Sequence, residues 1–112
     1  MDLYEQIEKL MNELTKSISL LRKNGTALAE AERDYKITLR QEALKLRVEK
    51  DMPVTLINQI IFGVPNVAEL RFKRDVAQTT YDANLEHINV TKLKLRILEN
   101  QLSREWGNVK NS

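Results

Sequence analysis

Cysteine is absent from the 112 residues, which excludes both a disulfide framework and a thiolate zinc site. Glycine and proline are scarce, at 3 and 2, and aromatic residues make up only 5%. An all-β domain needs many turn residues and many strand-favouring side chains, so that class is excluded too. No long apolar run occurs: the largest cluster is Ile60-Ile61-Phe62, far short of the roughly 18 residues that span a bilayer. Neither sign of charge dominates, with 18 basic residues against 16 acidic ones and a net charge of +2. Bulk electrostatics therefore predict neither nucleic-acid nor membrane binding. The chain opens Met1-Asp2-Leu3-Tyr4-Glu5-Gln6, acidic and amphipathic where a secretory signal is basic and then apolar. The expectation is a soluble, unexported, cytoplasmic protein.

What the sequence has in abundance is helical periodicity. From Asn66 to Trp106 no glycine or proline interrupts the chain, and Val67, Leu70, Ala77, Tyr81, Ile88, Leu95, Leu98 and Leu102 fall on one stripe at alternating steps of about three and four. A helix that long cannot fold back on itself and must lay its stripe against an equally long partner. The first half of the chain supplies one: Leu3, Ile7, Leu10, Met11, Leu14, Ile18 and Leu21 share a face. Asn24-Gly25 reads as a turn dipeptide, yet Leu14, Leu21, Leu28 and Tyr35 keep a seven-residue phase across it. That phase favours one helix over about 3–50, with Gly25 costing about 1 kcal/mol relative to alanine.

Pro53 stops this run. Thr55 is a candidate N-cap for a short corner helix over about 55–62, and Gly63 a candidate left-handed closing residue. Asn66 with Glu69 resembles a capping box opening the second helix, over about 66–106, before Gly107-Asn108 ends it and Val109 to Ser112 fray. The predicted fold is all-α: a single-domain, coiled-coil-like antiparallel helical hairpin with a short corner helix. Leu85, Val76 and Ile97 flank the stripe of the second helix, as Leu20, Ile37, Leu39 and Leu46 flank that of the first. This surplus apolar surface predicts a homodimer or higher homo-oligomer that forms a helical bundle.

Catalytic constellations are missing. His87 is the only histidine, with no second histidine or cysteine to complete a soft-metal site. Glu30, Glu32, Asp34, Glu42 and Glu49 read as solvated helix faces, because no Glu-x-x-His motif accompanies them. Phosphate loops, nucleophile elbows and His-containing triads are lacking. No enzymatic activity, cofactor or metal is expected. Arg74, Asn84 and Thr91 are polar residues at stripe positions; they read as register-setting groups, or, for Arg74 with Tyr81, as the wall of a ligand pocket.

The corner concentrates apolar side chains in Val54, Leu56, Ile57, Ile60, Ile61, Phe62 and Val64, rimmed by Arg47, Lys50, Arg71, Lys73 and Arg74. An apolar patch with a basic rim reads as a protein-docking site. The candidate partner-binding residues are Leu56, Ile57, Ile60, Ile61, Phe62, Arg71, Lys73 and Arg74. The competing reading folds the corner down, burying Ile57, Ile60 and Ile61 against Leu46, Leu70 and Phe72. Phosphate contact by Arg40, Lys45, Arg47, Arg71 and Lys73 is a weaker option, because Glu42, Glu49, Asp51, Glu69 and Asp75 are interleaved with them.

Gly25-x-x-Leu28-Ala29-x-Ala31-Glu32-x-x-Tyr35, Pro53-Val54-Thr55, Val67-Ala68-x-Leu70-Arg71, Arg74-Asp75-x-Ala77, Tyr81 and Ile88-Asn89 together resemble small helical proteins encoded by phages and prophages of Gram-positive bacteria. The resemblance covers most of the chain. It implies a phage-encoded accessory protein acting in the host cytoplasm, on DNA recombination or replication or against host defence. The expected function is self-association and binding of a host or phage macromolecule as scaffold or inhibitor. The alternatives are a nucleic-acid-binding accessory factor and a sponge for a nucleotide-like signal.

Overall fold

A computed structural model describes residues 1–111, with side chains as far as residue 108. The fold is an all-α antiparallel helical hairpin with no strand among the described residues. Its order is α1 (Leu3–Glu49), α2 (Val54–Ile60), a 3-10 turn (Ile61–Gly63) and α3 (Pro65–Asn111). The hairpin divides into two compact units, a terminal unit of Met1–Lys23 with α3 from Asp82 onward, and a corner unit of Asn24–Tyr81.

In the terminal unit, Asp2 caps α1: its Oδ1 accepts the amide of Glu5 at 2.8 Å, satisfying one of the orphan donors of the first turn. The α1 and α3 segments run antiparallel here. Asn84 Nδ2 donates to the Ser17 carbonyl at 3.1 Å, and Trp106 Nε1 donates to the Tyr4 hydroxyl at 3.2 Å. Ile88 and Leu95 are buried, as are the polar Ser17, Asn84 and Thr91. Ser17 rather than Ile18 faces the seam, and Met11 and Ile18 stay about half exposed. The expected stripe is corrected at these two positions: a strict alternation of threes and fours from Leu14 to Leu21 passes through Ser17, and geometry outweighs hydrophobicity at one site.

In the corner unit, α1 continues unbroken through Asn24-Gly25. Tyr35, Ile57, Ile61 and Val67 form the buried cluster, with Leu39, Ala43, Leu46, Met52, Val64 and Leu70 packed around it. Leu39 and Leu46 therefore belong to the core and not to the surplus surface. Among the described residues Asp51, at φ 48°, is the left-handed one. It turns the backbone so that the Met52 amide donates to Leu46 O at 3.2 Å, while Arg47 Nη1 donates to Met52 O at 3.0 Å.

Three local expectations are corrected at the corner. Thr55 does not cap α2; Pro53 precedes the helix in extended geometry and its carbonyl accepts the amides of Leu56 and Ile57 at 3.1 and 3.0 Å. Gly63 is not left-handed, because a 3-10 turn followed by extended Val64 reverses the chain instead. Asn66 is not a cap: Pro65 takes the first helical position of α3, which suits its fixed φ and missing amide, and the Val64 carbonyl accepts from Ala68 at 2.9 Å.

At its far end α3 passes through Gly107-Asn108 to Asn111. Gly107 lacks the positive φ of a closing residue, so the expected stop is also corrected. The fraying expected for Val109 to Ser112 concerns side chains, and in Ser112 a backbone, outside the described residues. No helix among the described residues is long and apolar enough to cross a membrane.

Candidate docking surface at the corner

Helical spacing sorts the corner residues into two groups. Ile57 and Ile61, one turn apart, point inward and are 6% and 4% exposed. Leu56, Ile60 and Phe62 occupy the intervening positions and are 41%, 39% and 45% exposed. The candidate partner-binding set is thus split. Ile57 and Ile61 hold the corner down on Tyr35 and Val67 and are corrected to core residues; Leu56, Ile60 and Phe62 remain available. The folded-down reading holds for Ile57 and Ile61 but not for Ile60 or Phe72, both of which are exposed.

The basic residues divide in the same way. The Arg71 guanidinium carbon lies 4.7 Å from the centroid of the Phe62 ring, a cation–π contact worth about 0.5–1 kcal/mol at an exposed site. It covers one face of the ring, and Phe62 is still 45% exposed. Lys73 Nζ approaches Glu69 Oε1 at 3.9 Å, a pairing that solvent makes weak. Arg74 serves the interior. Its guanidinium stacks over the Tyr35 ring at 4.6 Å and donates to Asp75 Oδ1 at 2.9 Å. The bond to Asp75 raises the Arg74 pKa above its ordinary value.

Arg74 and Tyr81 meet different neighbours. Arg74 is taken up by Tyr35 and Asp75, whereas Tyr81 covers Gly25, with its Cε2 3.4 Å from where an added Cβ would stand. Asn84 and Thr91 are likewise satisfied: Asn84 by Ser17, and Thr91 by its own helix, its Oγ1 donating to His87 O at 2.8 Å.

Other candidates meet ordinary partners. Glu32 pairs with Lys36, Asp34 with Arg33, and Glu42 with Lys45. Glu42 also accepts from Asn66 Nδ2 at 3.3 Å. Among the described residues no three His, Asp or Glu side chains converge as a metal site requires.

Sequence reasoning missed Phe72, which is 64% exposed on α3, and the pair Leu44 and Val48 on α1, both well exposed. The signal was present in the numbering, since each stands off the seven-residue phase of its helix. The chain matches no family model, no curated protein and no solved structure.

Proposed function

We propose that this chain is a non-enzymatic helical-hairpin protein that self-associates and captures a macromolecular partner through its corner, acting by occlusion or scaffolding. One observation carries this reading. Two isoleucines suffice to seat the corner, yet Leu56, Ile60 and Phe62 stay in water beside them, with Arg71 stacked on the Phe62 ring. Aromatic and arginine side chains that become desolvated at the centre of a patch are the usual anchors of protein interfaces. The apolar groups favour a protein over nucleic acid, and Glu42 and Glu69 beside Lys45 and Lys73 break up a continuous positive track. The residue pattern resembles that of small phage and prophage proteins, which favours a bacterial host cytoplasm as the setting and a host or phage protein as the partner.

The test begins with capture from a bacterial lysate and identification of the bound protein, followed by titration of that purified protein. Phe62→Ala is expected to weaken its binding tenfold or more while leaving the hairpin's melting temperature within a few degrees of the parent's. Unchanged affinity, or loss of fold and binding together, overturns the proposal.

A further inference from the structure

In the terminal unit α3 presents a second apolar row. Its inward row is Asn84, Ile88, Thr91, Leu95 and Leu98. Ala83, Glu86, Val90, Leu93, Ile97 and Asn100 also alternate by three and four, and at 100° per residue they lie about 150° around the helix from the first row. Ala83 is exposed, and Val90, Leu93 and Ile97 are 38%, 53% and 54% exposed. A surface helix normally carries one such stripe, with polar residues opposite. On α1 the residues Lys9, Lys16 and Lys23 recur at seven-residue spacing and are exposed, as do Tyr4, Met11 and Ile18 on another side of the helix.

We infer that the outer face of α3 pairs antiparallel with the same face of α3 in a second copy. This deepens the self-association just proposed and rests on it. Setting Val90 opposite the second copy's Leu93 places the two-fold axis between residues 91 and 92, and the row is self-complementary about that axis. Val90 and Leu93 meet twice at the centre. Ile97 covers the methylenes of Glu86, and the Glu86 carboxylate lies beside Arg96 of the other copy, giving two symmetric ion pairs. A parallel arrangement would instead stack Glu86 on Glu86 and Arg96 on Arg96. At the two ends Asn100 faces the small side chain of Ala83, which leaves the Asn100 amide in solvent. The row is about 25 Å long and would bury roughly 1,000 Å² in all, an area typical of weak, reversible association.

The absence of cysteine makes single-cysteine labelling of the full chain clean. In the antiparallel pair, spin labels on Asn89→Cys are offset along the axis by about 8 Å and those on Gln101→Cys by about 28 Å. Pulsed-resonance distances are expected to be short for the first and long for the second; short distances at both overturn the inference. In sedimentation, Leu93→Glu is expected to yield monomer with an unchanged helical signal. Glu86→Arg and Arg96→Glu singly should weaken the dimer about fivefold, and together restore it to within twofold. Monomer in the parent protein at all concentrations defeats the self-association reading itself. A dimer that survives Leu93→Glu, or charge reversals that do not compensate, defeats only this interface.

Discussion

At the scale of the residue, the seam is tuned by small polar groups rather than by uniform leucines. Asn84 is 8% exposed and reaches across to the Ser17 carbonyl, a bond only the aligned register provides. Asn84→Ala removes it and leaves a void, so urea unfolding should show a loss of about 1–2 kcal/mol. Thr91 bonds only within its own helix; an isosteric valine there forfeits little, and its cost should stay below that of Asn84→Ala in the same assay. Gly25 has ordinary helical backbone, and a Cβ there would meet Tyr81 at van der Waals distance. Gly25→Ala should therefore raise stability by about 0.5–1 kcal/mol, measured by the midpoint of chemical denaturation. Asp51 is the reverse case. Its φ of 48° is a conformation glycine adopts without a Cβ clash, and nothing in the local composition marked it.

At the scale of the element, the corner shows why a seven-residue helix can be both an anchor and a lure. A helix of two turns is unstable alone, so α2 exists because Ile57, with Ile61 just beyond it, enters the cluster of Tyr35 and Val67. Ile57→Ala should cost about 2–4 kcal/mol of unfolding free energy. Leu56→Ala, on the exposed side, should cost less than about 1 kcal/mol, and comparison of the two by thermal melting checks the assignment. Residue order alone named the apolar side chains gathered at this corner. It did not separate the seated ones from the free ones, because the orientation of α2 is set by Asp51, Pro53 and the 3-10 turn. No periodic pattern records those three features.

At the scale of the whole molecule, the two units are stabilised by different means. The corner unit has a buried apolar cluster of Tyr35, Ile57, Ile61 and Val67, whereas the terminal unit buries Ile88 and Leu95 among Ser17, Asn84 and Thr91. Apolar burial contributes more per residue than satisfied polar groups. Amide hydrogen exchange should accordingly be slower around Tyr35 and Val67 than around Ser17 and Asn84. Self-association adds a further dependence. If copies bind only when folded, the melting temperature must rise with chain concentration, and a midpoint constant over a hundredfold range would count against oligomer formation.

The sequence by itself determined that this is a helical hairpin. A stripe of helical period carried from Val67 to Leu102 needs a second helix of matching length, and the first half of the chain carries one with a turn between them, all of it local enough to read from residue order. The extent of α1 and the place of the corner followed from it, whereas α3 runs on past the predicted stop at Gly107 to Asn111. Only the tertiary structure decided which residues of the corner are core and which are surface, that Ser17 displaces Ile18 at the seam, and that Pro65 rather than Asn66 opens α3. Each depends on the backbone direction at a turn or on what stands across the seam. Such information lies between residues distant in the chain, where helical periodicity is blind.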